Sequence, residues 1–190
     1  MLLAGLWLFG TGEGLLIDSA LGVSPWTVLA QGSARQTGTG IGLATFAVSV
    51  VVLLLWVPLR QRPGLGTLAN AVVIAVSLGV SVAVLPGPDA VGWRIAEVLL
   101  GIVLIGVGSG FYLTTGMGPG PRDGLMTGLH QRTGMAVTPV RLAIEVAVLV
   151  GGWLLGGTAG VGTVLFALLV GPAVGYGLGL AGRLGRQRAR

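Results

Sequence analysis

Apolar residues fill six long stretches of this chain, roughly 2–21, 39–58, 64–85, 93–116, 138–157 and 159–181. Each is long enough for a helix that crosses a bilayer, which takes about 20 residues. The breaks between them differ in chemistry. Pro58-Leu59-Arg60-Gln61-Arg62-Pro63-Gly64 is a short basic turn bounded by prolines, Pro86-Gly87-Pro88-Asp89 carries no positive charge, and the fifth and sixth stretches are parted only by a glycine-rich bend around Gly156, Gly157 and Gly160. The pattern predicts an all-α membrane protein with six transmembrane helices. The first stretch begins at Met1 without a basic n-region or an A-x-A site, so a cleaved signal peptide is not expected.

Composition agrees. Of 190 residues, 53% are hydrophobic and 9% charged, with a mean hydropathy of +0.92; a soluble domain carries about 25% charged residues. The 36 glycines have no collagen period and suit closely packed membrane helices. With no cysteine, disulfides, thiol nucleophiles and cysteine metal sites are excluded. The net charge of +5 comes from eleven arginines and no lysine, and in so apolar a chain it reads as topology rather than as nucleic-acid binding. With the N-terminus inside, Arg60, Arg62, Arg122, Arg132, Arg141, Arg183, Arg186, Arg188 and Arg190 fall on the cytoplasmic side and only Arg35 and Arg94 outside. Both termini are therefore expected in the cytoplasm.

A shift of 96 residues aligns the two halves without a gap. Gly10, Gly12 and Gly14 fall on Gly106, Gly108 and Gly110; Gly22 and Pro25 on Gly118 and Pro121; Thr37-Gly38 on Thr133-Gly134; Gly64, Gly66 and Thr67 on Gly160, Gly162 and Thr163. Residues 3–85 give 22 identities in 83 pairs, where composition alone would give roughly 8. The expected organisation is a first three-span repeat (1–85), a connecting loop (86–92), a second three-span repeat (93–181) and a basic cytoplasmic tail (182–190). Three spans is an odd number, so the second repeat enters the membrane the other way round, as in many transporters and channels.

Each half carries one element between its first two spans: Leu21-Gly22-Val23-Ser24-Pro25-Trp26-Thr27-Val28-Leu29 running to Thr37-Gly38, and Met117-Gly118-Pro119-Gly120-Pro121-Arg122-Asp123-Gly124-Leu125 running to Thr133-Gly134. Ser24 is a suitable N-cap with Pro25 at the first helical position. Pro121 fills the same place, with Asp123 in the first turn where the helix dipole favours a carboxylate. The Thr-Gly pairs are glycine stops. Each short extra helix would be about 12 residues, or about 18 Å, too short to span. It could lie in the interface, with Val28, Leu29, Leu125, Met126 and Leu129 buried and Gln31, Arg35, His130, Gln131 and Arg132 wet. Alternatively its N-terminus could sit inside the membrane and line a polar cavity suited to anions or polar solutes.

Ionisable groups within apolar stretches are functional candidates. Glu13 has no local partner, and Asp18 lies near the expected outer interface. Glu145 has Arg141 four residues before it and Glu97 has Arg94 nearby, which reads as local ion pairing. Arg122-Asp123 is the most polar pair in the linkers. The candidate solute-binding set is Glu13, Ser24, Pro25, Trp26, Pro121, Arg122 and Asp123. No metal spacing, carboxylate pair or phosphate loop supports an enzyme, and Ser24 with His130, the single histidine, is a weak basis for one. No cofactor is expected. Trp56, Trp93 and Trp153 are expected interface anchors. Gly152…Gly156, Gly156…Gly160 and Gly171…Gly175 follow the small-xxx-small packing pattern.

Gly22-Val23-Ser24-Pro25-Trp26, the turn from Pro58 through Thr67, and Gly118 through Leu125 together resemble the YczE-type bacterial membrane proteins of the broader YczE/YyaS/YitT group. The resemblance covers nearly the whole chain and implies an integral protein of the bacterial cytoplasmic membrane, without a substrate, catalytic residue or cofactor. The chain departs from that pattern in starting close to its first span, and in having Thr27 where an Asp matching Asp123 is expected. The leading expectation is a small transporter or permease-like protein in the lipid bilayer. It would form a homo-oligomer and pass a small polar or anionic solute between the linker motifs. The runner-up is a structural or accessory protein supporting a partner complex.

Overall fold

Among the described residues eight helices succeed one another: α1 (Leu2–Asp18), α2 (Pro25–Thr37), α3 (Ile41–Leu59), α4 (Leu65–Val84), α5 (Val91–Leu113), α6 (Pro121–Thr133), α7 (Val137–Leu154) and α8 (Val161–Arg188). The computed structural model describes the backbone of residues 1–188 and side chains as far as Leu184. The end of the basic tail therefore lies outside the described residues, and α8 runs on into that tail's first part. No strand occurs among the described residues.

Local chemistry explains the ends. Ser24 caps α2, its Oγ accepting from the Thr27 N–H at 3.4 Å, and Pro25 follows at the first helical position. Gly120 precedes Pro121 at the matching position of α6, where no side-chain cap is made. Both short helices have 13 residues and stop at left-handed glycines, Gly38 (φ 66°) and Gly134 (φ 71°). Gly22 (φ 114°) and Gly118 (φ 112°) turn the chain before each short helix in a conformation closed to other residues.

Five helices, α3, α4, α5, α7 and α8, are long and apolar enough to cross a membrane, one fewer than the six spans expected. The first apolar stretch yields only 17 helical residues, because the chain leaves the helix at Ser19 and turns at Ala20 (φ 52°). That helix lies at the centre, between α5 and α4. Consecutive helical residues point about 100° apart, so Gly12 faces α5, Gly14 faces α4, and Glu13 points between them. A Cβ at Gly12 would lie 2.6 Å from the Gly101 carbonyl oxygen, and one at Gly14 2.5 Å from the Ser81 Cβ. The Gly10-x-Gly12-x-Gly14 and Gly106-x-Gly108-x-Gly110 stripes are thus close-packing faces, as expected.

Contacts recur at the 96-residue offset. Gly5 abuts Gly108 while Gly101 abuts Gly12; Gly10 and Gly14 meet Ser77 and Ser81 while Gly106 and Gly110 meet Ala173 and Gly177. Thr67 Oγ1 donates to the Pro119 carbonyl at 2.7 Å, and Thr163 Oγ1 donates to the Val23 carbonyl at 2.8 Å. The Gly66 N–H bonds the Met117 carbonyl, and the Gly162 N–H bonds the Leu21 carbonyl. The start of α4 therefore holds the loop before α6, and the start of α8 holds the loop before α2.

Trp56 departs from expectation. Rather than anchoring at an interface, it is buried against the first turn of α6, whose Gly124 leaves room for its ring. Trp93 and Trp153 are exposed, as anchors would be. Of the small-residue pairs, Gly152 packs on α2, whereas Gly171 and Gly175 meet nothing.

Candidate functional site

The short helices are more buried at their starts than at their ends. Ser24, Pro25, Trp26, Thr27 and Val28 are buried, as are Pro121, Leu125 and Met126, while Arg35–Thr37 and Gln131–Thr133 are exposed. The exposed ends reach the turns between neighbouring helices. Arg35 and Gln36 donate to the Gly156 and Leu155 carbonyls after α7, and Arg132 donates to the Pro58 carbonyl at the end of α3 at 2.8 Å. The start of α2 is thus buried in the protein, and of the first turn of α6 Pro121 is buried while Asp123 is exposed.

Glu13 is 1% exposed and well supplied with donors. Ser24 Oγ lies 2.9 and 3.0 Å from its two carboxylate oxygens, and Thr27 Oγ1 donates to Oε2 at 2.7 Å. Ser24 thus caps α2 with its lone pair and tethers Glu13 with its proton. From the other half, Arg122 brings Nη1 to 3.8 Å from Glu13 Oε1, an ion pair longer than a hydrogen bond. Its guanidinium stacks over the Trp26 ring, 5.3 Å from the centroid. Trp26 and Arg122 occupy matching positions 96 residues apart, so the two halves meet through them. Asp123 accepts from the Tyr112 hydroxyl at 2.8 Å, and Trp56 Nε1 donates to the Pro121 carbonyl at 3.0 Å, fixing the start of α6.

All seven candidate residues are brought together here. Six of them, Ser24, Pro25, Trp26, Pro121, Arg122 and Asp123, line one cavity of about 230 Å³, and Glu13 sits behind Ser24. Thr45 and Ser49 of α3, Asn70 of α4, and Ser109 and Tyr112 of α5 also line it, none of them singled out from the sequence. The available signal was weak: single hydroxyl and amide residues within apolar helices, with Thr45 and Ser49 four apart on one face. Thr45 is 3% exposed and its hydroxyl has no hydrogen-bond partner. Arg141 and Glu145 form the expected i,i+4 pair, at 2.9 Å, and also face this cavity.

Other ionisable groups lie elsewhere. Asp18 accepts from the Gly87 N–H at 3.1 Å, tying α1 to the loop before α5. Glu97 forms no ion pair with Arg94, contrary to the local pairing expected; Arg94 Nε and Glu97 Oε2 are both unpartnered, and Glu97 lies against Asp18. His130 bonds the Met135 carbonyl near the exposed end of α6, whereas Ser24 is committed to Glu13 and Thr27. No group of three or more His, Cys, Asp or Glu side chains is placed to hold a metal among the described residues.

Apolar helices of spanning length, packed through glycine seams around a polar centre, define a multi-pass helical membrane protein. The chain belongs to the family described as "Family of unknown function (DUF6198)", which matches residues 1–177. It is 47% identical over 184 residues to an "Uncharacterized protein" of Haemophilus influenzae, covering 97% of this chain and 84% of the relative. It is 34% identical over 177 residues to the "Uncharacterized membrane protein YczE" of Bacillus subtilis (92% and 82%), and 26% identical over 171 residues to YyaS of the same organism (88% and 85%). The YczE-type assignment read from the linker motifs therefore holds. No solved structure matches the chain.

Proposed function

We propose that this protein is a small permease of the bacterial cytoplasmic membrane that passes a small polar or anionic solute, without a cofactor and without covalent chemistry. In this reading α1 is a sixth span and the halves are inverted repeats with both termini in the cytoplasm. The reciprocal contacts at the 96-residue offset support the repeat. Nine arginines against two support the orientation. Such repeats hold their solute sites at the repeat interface, where broken helices point their N-termini at the ligand.

One observation carries the solute reading. The cavity between the short helices presents two sets of donors that nothing in the described chain satisfies. The buried Thr45 hydroxyl has no partner, and the part-exposed Arg122 guanidinium donates no hydrogen bond, lying 3.8 Å from Glu13 and over the Trp26 ring. A buried hydroxyl left unpaired costs about 1–3 kcal/mol, which a ligand with acceptor oxygens recovers.

The chain lacks cysteine, so accessibility tests the reading directly. Single cysteines at Thr45, Ser49 and Asn70 are treated with a membrane-impermeant thiol reagent from either side. A permease predicts modification of these buried positions, with the reactive side changing between conformations. Silence at all three positions from both sides would instead support a structural or accessory protein.

A further inference from the structure

The polar cavity has an apolar neighbour. A crevice of about 440 Å³ is walled by α3 and α7, with Val48, Val51 and Val52 on one side and Ile144, Ala147 and Val148 on the other. These residues match in pairs at the 96-residue offset, so the crevice straddles the same axis as the polar cavity. It exists because α3 packs mainly on α2, α4 and α6, and α7 mainly on α2 and α6, so that α3 and α7 meet chiefly through the Trp26 and Leu125 side chains between them. Val51 and Ala147 are exposed, so the crevice opens on the face turned towards lipid.

The two spaces adjoin at Trp26. Trp26 lines both, and the Arg122 guanidinium stacks on it within the polar cavity. On α3 the lining changes within one turn, from Thr45 and Ser49 on the polar side to Val48 and Val52 on the apolar side. On α7 it changes from Arg141 and Glu145 to Ile144 and Val148.

Resting on the solute reading above, we infer that the solute is a single-chain anionic amphiphile that enters sideways from the bilayer between α3 and α7. Its acidic head takes the donors of Arg122 and Thr45, and its alkyl tail lies in the crevice beyond Trp26. Free donors argue for a head group with acceptor oxygens. Arg141 is paired with Glu145 and Asp123 accepts from Tyr112, whereas the Arg122 guanidinium, 3.8 Å from Glu13, makes no hydrogen bond and the Thr45 hydroxyl has no partner. The crevice, apolar except for Ser33 at its α2 side, offers a head group little and a tail a sheltered wall.

The test uses the full chain in lipid nanodiscs and a long-chain fatty acid with a diazirine at mid-chain. After photolysis, label is expected on Val48, Val51 and Ala147, chased by excess unlabelled long-chain acid but not by equimolar acetate. Arg122→Gln should lower this labelling at least tenfold. Ala147→Trp, which fills the crevice at an exposed position and leaves the head site intact, should do the same. Label spread evenly over α4, α5 and α8 without chase, or unchanged crevice labelling in Ala147→Trp, would overturn the inference. Protection of a Thr45→Cys thiol by acetate, with no crevice labelling, would overturn it too while leaving a permease for small solutes standing. No protection by either acid and no crevice label would overturn both.

Discussion

Glu13 sits in the apolar interior with two hydroxyl donors on its own side and a guanidinium from the other half. A buried ion pair adds little stability against an apolar substitute, yet removing one partner leaves an uncompensated charge. Arg122→Gln should therefore lower the midpoint of thermal unfolding in detergent, at a cost below the ~3–5 kcal/mol of a fully buried pair, because Arg122 is 23% exposed and 3.8 Å from Glu13. Adding Glu13→Gln should recover part of that loss, because the amide keeps the Ser24 and Thr27 contacts without the charge; strictly additive losses would show that the two side chains are not coupled. Thr45 behaves in the opposite sense. Its hydroxyl is buried and unpartnered, so Thr45→Val should leave stability unchanged or raise it by about 1 kcal/mol while weakening solute protection of neighbouring cysteines. A stabilised protein that has lost ligand binding would mark a group kept for function.

At the scale of the element, the short helices depend on the glycine turns that precede them. Gly118 adopts φ 112°, and a Cβ there would lie 2.8 Å from Thr67 Oγ1, the atom that holds the Pro119 carbonyl. Gly118→Ala therefore combines backbone strain with displacement of that hydrogen bond and should cost about 2–3 kcal/mol. Gly38 also has positive φ, at 66°, but opens on free space. Gly38→Ala should cost only about 1 kcal/mol. Equal losses in a side-by-side thermal unfolding measurement would show that the close approach to α4 contributes nothing. The short helices were legible in the sequence almost to the residue, because caps and glycine stops are local chemistry. The burial of their starts was not legible, since the same apolar and polar faces suit a helix lying in the interface. Burial of Ser24, Thr27 and Pro121 inside the protein depends on Glu13 and Trp56, which are remote in sequence.

For the whole molecule, the proposed twofold relation makes matched substitutions comparable. Thr67 and Thr163 each donate to a carbonyl of the opposite half and share no partner. Thr67→Val and Thr163→Val should each cost about 1–3 kcal/mol, and the double variant should lose close to the sum. A large loss for one and none for the other would argue against halves that brace each other equally. Orientation has its own measurement. A reporter inserted at Arg62 should be active on the cytoplasmic side and one at Asp89 on the far side, with both on one side contradicting the proposed topology. Six spans were read from hydropathy, but only five helices meet the length and composition of a span, because α1 stops at Asp18 and contributes its polar residues to the centre.

By itself the sequence determined the class of protein, the helix ends, the 96-residue self-similarity and the short list of polar residues worth watching. Each follows from hydropathy, from capping groups or from a constant offset, all readable within a few residues or by self-comparison. The tertiary structure decided which of those residues meet. Gly12 and Gly14 bring α5 and α4 against two faces of α1, and this rotation turns Glu13 towards Ser24, Thr27 and Arg122. The same packing draws Trp56 inward to hold Pro121, makes Thr45 and Asn70 part of a cavity, and leaves Trp26 and Leu125 between α3 and α7. Helix rotation and crossing depend on close contacts between residues far apart in the chain, and a periodic apolar pattern does not encode them when every face of a helix is apolar.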